Sequence, residues 1–317
     1  MDNILEIKNL DLFFRADKKE FQALYDVNMS FERGKLHSIV GESGCGKTMT
    51  IMSVIRLLPK TAFVKNGQIL FNGNDLLKYK ESEMREIRGN KIALIPQDPM
   101  TSLNPLYTIE NQLLEAIVSH NKISKNQAMR KAREVMNLVK IPDAEHKLKM
   151  YPHEFSGGMK QRIIIGMALA CNAELIIADE PTTALDVTVQ KQIMDLLSEL
   201  QKEYKTTVIL ISHDLSLVSN YADTVRVMYS GRVVEKAEAK QFFTNPRNPY
   251  SIALLNSLPG GNAKLQTITG SPPNIQENIT GCKFHPRCKY SEEGLCDIEV
   301  PQLEEKIPNH FSACFKL

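Results

Sequence analysis

The chain of 317 residues has no tryptophan, and its aromatic share is only 7%. It has no run of basic residues, and a formal charge of +2 gives no electrostatic case for a nucleic-acid partner. A stretch of about 20 apolar residues, enough to cross a bilayer, is also missing. The best run, IIIGMALAC at 163–171, is far too short and directly follows Arg162. The start, MDNILEIKNLDLFF, carries early acids and no basic region, so no secretory signal is expected. A cytoplasmic protein is expected, in which structural disulfides do not persist. What is left, 43% hydrophobic and 24% charged, is ordinary globular composition, with room for one large domain and a smaller one.

Four short apolar runs read as buried strands: LHSIV (36–40), KIALIP (91–96), ELIIAD (174–179) and TTVILIS (206–212). They alternate with helix-like segments, the pattern of a mainly parallel sheet covered on both faces. Ser124 and Gln127 form a capping-box pair, after which Met129, Ala132, Met136 and Val139 recur at helical spacing. Residues 100–172 are therefore expected to be a mostly helical insertion between two strands. VRVMYSGRVVE (225–235) reads as a hairpin. Beyond it, Pro246, Pro249, Pro259, Gly260, Gly261, Gly270, Pro272 and Pro273 punctuate a linker-like stretch, which divides the chain into expected domains at 1–243 and 244–317.

The run LHSIV leads into GESGCGKT, Gly41 to Thr48, which fits G-x-x-x-x-G-K-[ST] between a strand and a helix. Glycines let such a loop curl so that successive N–H groups and the positive end of the next helix face phosphate oxygens. Lys47 is placed to reach the β and γ phosphates, and the Thr48 hydroxyl to bind Mg²⁺. A second constellation, ELIIADEP, delivers Asp179 and Glu180 at the C-terminal end of a strand, where ligands bind in open α/β sheets. Asp179 is placed to hold Mg²⁺, in the second shell or directly, and Glu180 to polarise an attacking water. In EFSGGMKQR (154–162), Ser156, Gly157 and Gly158 lead into another helix and offer a second phosphate cradle. Two cradles in one chain are explained by a head-to-tail dimer, with each ATP between one chain's loop and its partner's SGG turn.

These motifs, in this order, resemble the ATP-binding subunits of ABC transporters over about residues 3–250. The resemblance implies an ABC ATPase fold: an α/β phosphate-loop core with an antiparallel β portion, a helical insertion and, here, a small cysteine-rich C-terminal tail. It implies Glu180 as general base and His213, in ISHDL, at the γ-phosphate. Gln97 would contact Mg²⁺ or the attacking water, and Asp186 belongs to the ALD turn (184–186). Phe14 would stack on adenine, while Gly41, Ser43, Gly44, Cys45, Gly46, Lys47, Thr48 and Met49 would surround the phosphates. Phe155, Met159 and Met49 depart from the common pattern without removing a catalytic group.

IPQDPMTSLNPLYTI, PHEFSGGMKQR, NPRNPYSIALLNSLP and GCKFHPRC resemble the di- and oligopeptide importer members of that family. This implies a second ATPase subunit, two membrane permeases, an external solute-binding protein and a place on the cytoplasmic face of the membrane. Importers of nickel and other small solutes share parts of these runs. Soluble ABC ATPases are the other alternative, but the roughly 108 residues between Thr48 and Ser156 show no sustained heptad repeat.

Four of the six cysteines, Cys282, Cys288, Cys296 and Cys314, crowd near the C-terminus. Their spacing has no tight C-x2-C pair of the kind typical for structural zinc. A segment rich in Pro and Gly has little with which to build its own core, and a metal centre would hold it together. An iron–sulfur cluster, zinc and unligated or disulfide-bonded thiols are all open from the residues; the resemblance implies a [4Fe-4S] cluster. A redox- or metal-sensing ATPase is the reading that the cysteines alone would support. Cys45 and Cys171 need no ligand role.

Overall fold

Every residue of LHSIV, LIIAD and TVILI is buried, which is why these runs show no polar alternation. Each buried Ile, Leu or Val side chain contributes about 1.5–3 kcal/mol relative to an exposed one. The polar His37 is tolerated in the first run because both ring nitrogens are partnered, Nδ1 with Thr224 Oγ1 at 2.7 Å and Nε2 with the Glu32 carbonyl at 2.8 Å.

The computed structural model describes residues 2–16, 19–120, 123–183, 185–258, 268–275, 277 and 279–316. Pro259, Gly260 and Gly261 of the expected linker, and Ala184 of the ALD turn, lie outside the described residues. In chain order the strands are β1 (Asn3–Ala16), β2 (Lys19–Glu32), β3 (Leu36–Val40), β4 (Ala62–Phe71), β5 (Asn74–Asp75), β6 (Ile92–Ile95), β7 (Leu175–Asp179), β8 (Thr207–Ile211), β9 (Thr224–Tyr229), β10 (Arg232–Glu238), β11 (Glu304–Ile307) and β12 (His310–Ser312). All four apolar runs read as strands are strands.

The chain divides into two compact units. The first comprises Met1–Glu32, Leu36–Lys78 and Ile211–Leu317. It holds the antiparallel sheet β2-β1-β4-β5 and the strand series β11-β12-β10-β9-β3. In that series β3 runs parallel to β9, with His37 opposite Thr224, whereas β9–β10, β10–β12 and β11–β12 are antiparallel. The expected mainly parallel sheet is therefore mixed in this unit. The hairpin β9–β10 turns through Ser230 and Gly231, both at positive φ (42° and 77°), the conformation a two-residue hairpin turn demands.

The C-terminal stretch belongs to this same unit. Its strand β12 pairs with β10, placing Ser312 opposite Glu235. His310 Nε2 lies 2.6 Å from Glu235 Oε1, and both side chains are fully buried. Phe284 packs against Tyr229 and Tyr250 with ring centroids 5.2 and 5.3 Å away.

The second unit comprises Arg33–Lys35 and Tyr79–Leu210. It carries β8-β7-β6, with β6 and β7 parallel, and the helices Ile109–His120, Lys125–Leu138, Gly157–Ala170 and Val187–Tyr204. The segment between β6 and β7 is the helical insertion. Ser124 caps Lys125–Leu138 with a full capping box, and Ala128, Ala132, Val135 and Met136 form its buried face. Met129 is only half-buried, because that face is centred one position earlier than the sequence spacing suggests. Among the described residues no helix is long and apolar enough to cross a membrane.

Candidate functional site

In the first unit, β3 ends at Val40 and the chain turns immediately into a loop. A Cβ on Gly41, which has a φ of 149°, would sit 2.2 Å from the Met228 carbonyl oxygen, so only glycine lets the loop leave β3 this close to β9. The helix Lys47–Val54 begins at the end of the loop, with Gly46 at its N-cap. Lys47 is buried and curls back over the loop, donating from Nζ to the carbonyls of Gly41 at 2.7 Å and Glu42 at 3.0 Å. Ser43, Gly44 and Thr48 are exposed, while Gly46 and Met49 are half-buried. Cys45 is buried, and burial pushes its thiol pKa up, which keeps it neutral and unreactive.

His213 is exposed between two anchors in the same unit. On one side the Ser212 N–H donates to the carbonyl of Ile39, within the strand that feeds the loop, at 3.3 Å. On the other, Asp214 caps the helix Leu215–Tyr221 through the N–H groups of Ser216 and Leu217. Phe13 is committed to a stack on Phe63, with centroids 6.1 Å apart, and to Lys65. Phe14, pointing to the opposite face of β1, is half-buried.

In the second unit, β7 carries Asp179, 5% exposed, to its C-terminal end. Glu180 follows in the left-handed region at φ 47°, a conformation costing about 1–2 kcal/mol for a residue with a Cβ. Gln97 Nε2 donates to Glu180 Oε2 at 2.9 Å, and Thr183 Oγ1 donates to the same oxygen at 3.0 Å. Ser156 caps the helix Gly157–Ala170, and Asp186 caps Val187–Tyr204 by accepting from the Val189 N–H at 3.0 Å. These two helix starts meet at Gly158, where a Cβ would lie 2.6 Å from Val189 Cγ1. The structure thus joins Gln97 with Glu180, and the SGG turn with the helix that Asp186 caps. Thr183 is the partner that sequence reasoning missed; its signal was its place three residues after Glu180 in a tight turn.

Cys282, Cys288, Cys296 and Cys314 carry free thiols and line one cavity of about 260 Å³ in the first unit. Burial pushes the Cys282 thiol up to about 11, and the neighbouring Cys288, Cys296 and Cys314 act in the same direction. Among the described residues no group of three or more His, Cys, Asp or Glu side chains is arranged to hold a metal ion. Cys171 is apart from them, its thiol donating to the Ala116 carbonyl at 3.3 Å.

Comparison with known proteins decides the family. The model described as "ABC transporter" matches residues 24–183, and "Oligopeptide/dipeptide transporter, C-terminal region" matches residues 234–296. The chain belongs to the ABC transporter family. Among its ABC relatives, a probable peptide ABC transporter ATP-binding protein of Sinorhizobium fredii is 46% identical, over 99% of this chain and 95% of the relative. The oligopeptide transport ATP-binding protein OppD of Escherichia coli is 45% identical over 99% of this chain and 94% of its own length. The dipeptide transport ATP-binding protein DppD of Bacillus subtilis is 44% identical over 99% and 95%. Among solved ABC structures, the dimeric post-hydrolysis state of the cassette MJ0796 bound to ADP and Pi superposes with a TM-score of 0.66 at 25% identity, covering 74% of this chain and 98% of that one. The cassette cbiO1 of Clostridium perfringens, part of an ABC transporter complex, gives 0.66 at 28% identity, covering 77% and 92%.

Proposed function

We propose that this chain is the ATP-hydrolysing subunit that powers import of di- and oligopeptides through a membrane ABC transporter. The observation that carries this reading is the near-full-length 44–46% identity with peptide-transport ATP-binding proteins, which includes the C-terminal region. The chemistry follows from the residues above. Gly41, Ser43, Gly44, Cys45, Gly46, Lys47, Thr48 and Met49 hold the phosphates of ATP, with Lys47 exchanging its two loop carbonyls for β- and γ-phosphate oxygens. Phe14 takes the adenine. Glu180 accepts a proton from the attacking water, Gln97 orients the Glu180 carboxylate, and His213 contacts the γ-phosphate. The Thr48 hydroxyl, the Gln97 amide oxygen and the buried Asp179 carboxylate are hard oxygen donors, the set that suits Mg²⁺. When bound, that ion neutralises charge on the β and γ phosphates.

Ser156, Gly157, Gly158 and Asp186 face the ATP of a partner subunit in a head-to-tail pair, in keeping with the dimeric state named for the MJ0796 cassette. Two permeases, an external solute-binding protein and a peripheral position on the cytoplasmic face complete the assembly. Closure around ATP and reopening after hydrolysis drive the permeases between their two states. Residues 1–243 form the ATP-binding domain and 244–317 the peptide-importer extension. In this reading Cys282, Cys288, Cys296 and Cys314, which line one cavity, would be the thiolate ligands of a [4Fe-4S] cluster, an assignment that rests on the likeness to the peptide importers and not on the arrangement of the thiols, which among the described residues are not gathered as a metal site. Such a cluster serves to hold the extension together.

Uptake of a labelled dipeptide, a labelled oligopeptide and nickel is measured in cells lacking this chain and complemented with wild type or Lys47→Ala. Peptide uptake restored by wild type alone supports the proposal. Restoration of nickel uptake alone points to the small-solute importers, and no change in either removes the importer reading.

A further inference from the structure

Glu42 is the one acidic side chain within the loop Gly41–Thr48, a loop shaped to hold a polyanion. Hydrogen bonds pin it on both backbone and side chain. Its N–H donates to the Tyr250 hydroxyl at 2.8 Å, and its carbonyl accepts from Lys47 at 3.0 Å. Its carboxylate accepts two bonds from Arg287, Nη1 to Oε2 at 2.7 Å and Nη2 to Oε1 at 3.0 Å. The contact spans 245 positions of sequence, and the Arg287 side chain is only 6% exposed.

Arg287 is itself held rigidly. Its Nε donates to the Thr269 carbonyl at 2.9 Å, Nη2 to the Gly270 carbonyl at 3.1 Å and Nη1 to the Tyr229 hydroxyl at 3.3 Å. Beneath it Tyr229, Tyr250 and Phe284 form a closed aromatic triad, the Tyr229 and Tyr250 centroids being 4.6 Å apart. Arg287 also immediately precedes Cys288. The fork of a guanidinium on a carboxylate is the stiffest ion-pair geometry a protein has, and here it is shielded from water.

An uncompensated carboxylate beside the phosphates would repel them, and a free Glu42 would let the first turn of the loop move. We propose that Arg287 is a positioning residue for the phosphate loop: by its two bonds to Glu42 it cancels that charge and fixes the loop's first turn, so that ATP affinity depends on the C-terminal segment. This assignment deepens the ATP-site reading of Gly41–Thr48 and rests on it. Tyr250 supports the same turn from the backbone side. The C-terminal stretch is thus a structural part of the nucleotide site rather than an appendage to it.

The test is titration of the purified full chain with a fluorescent ATP analogue, alongside KM and kcat for Mg²⁺-ATP. Arg287→Ala is expected to weaken ATP binding about tenfold, raising KM far more than it changes kcat. Glu42→Gln in the Arg287→Ala background is expected to recover most of that loss, because the exposed charge is removed. Arg287→Lys, which keeps the charge but not the fork, is expected to fall between wild type and Arg287→Ala. Arg287→Ala binding within about twofold of wild type overturns the proposal. So does a double variant no better than the single, which would show that Arg287 acts only on the folding of its own segment. If Arg287→Ala does not fold, Arg287→Lys decides, and wild-type affinity there overturns the proposal. Lys47→Ala separates the two levels: undiminished binding in that variant brings down the ATP-site reading itself, whereas lost binding there with unchanged Arg287→Ala brings down only the role of Arg287.

Discussion

The Gln97 side-chain amide donates to Glu180 Oε2 across 83 residues of sequence, at 2.9 Å. Glu180 pays for its left-handed backbone in strain, and the two donors from Gln97 and Thr183 hold its carboxylate in one orientation. A general base must be aimed as well as basic, and in the proposed role of Glu180 as that base this pair would supply the aim.

Gln97→Ala should therefore lower kcat roughly tenfold with little change in ATP affinity, since it removes orientation and not phosphate contacts. Thr183→Val should have a smaller effect of the same kind. Because both donors serve one oxygen, the double variant should lose less than the product of the single losses, which steady-state kinetics on all four proteins will measure.

Gly158→Ala and Gly41→Ala should both be harmful but should differ in rescue. The new methyl group on residue 158 meets the Val189 side chain at 2.6 Å, so the substitution should cost about 1–3 kcal/mol in urea unfolding. Val189→Ala should recover much of it. The methyl group on residue 41 meets the backbone oxygen of Met228 at 2.2 Å, which no side-chain truncation relieves. That variant should lose ATP binding outright.

The parts that the sequence made legible are local. LHSIV, LIIAD and TVILI are buried end to end, so their apolar character alone reports a strand. GESGCGKT and FSGG are read from neighbouring residues whose backbone demands are short-range. The Arg287–Glu42 pair and the pairing of β12 with β10 left no such signal. Three residues, HFS, carry no strand pattern of their own, and an arginine before a cysteine says nothing about a glutamate far earlier in the chain. The hairpin β9–β10 was legible, but the addition of β12 and β11 to its outer strand, which carries the mixed sheet further, was not.

Anaerobically purified protein should contain about four irons and four acid-labile sulfides per chain, with a brown absorption band. Cys288→Ser should lose most of the band if, as proposed, Cys288 is one of the four ligands. Stoichiometric zinc in place of iron would make the C-terminal segment a zinc module, and metal-free protein would remove the cluster from the account.

The most direct test of the central claim compares wild type with Glu180→Gln for ATP binding and for Mg²⁺-dependent phosphate release. The account predicts unchanged ATP affinity in the variant and turnover reduced by about 10²–10⁴. Hydrolysis near the wild-type rate would contradict it, because the carboxylate that Gln97 and Thr183 hold in place would then have no part in the reaction.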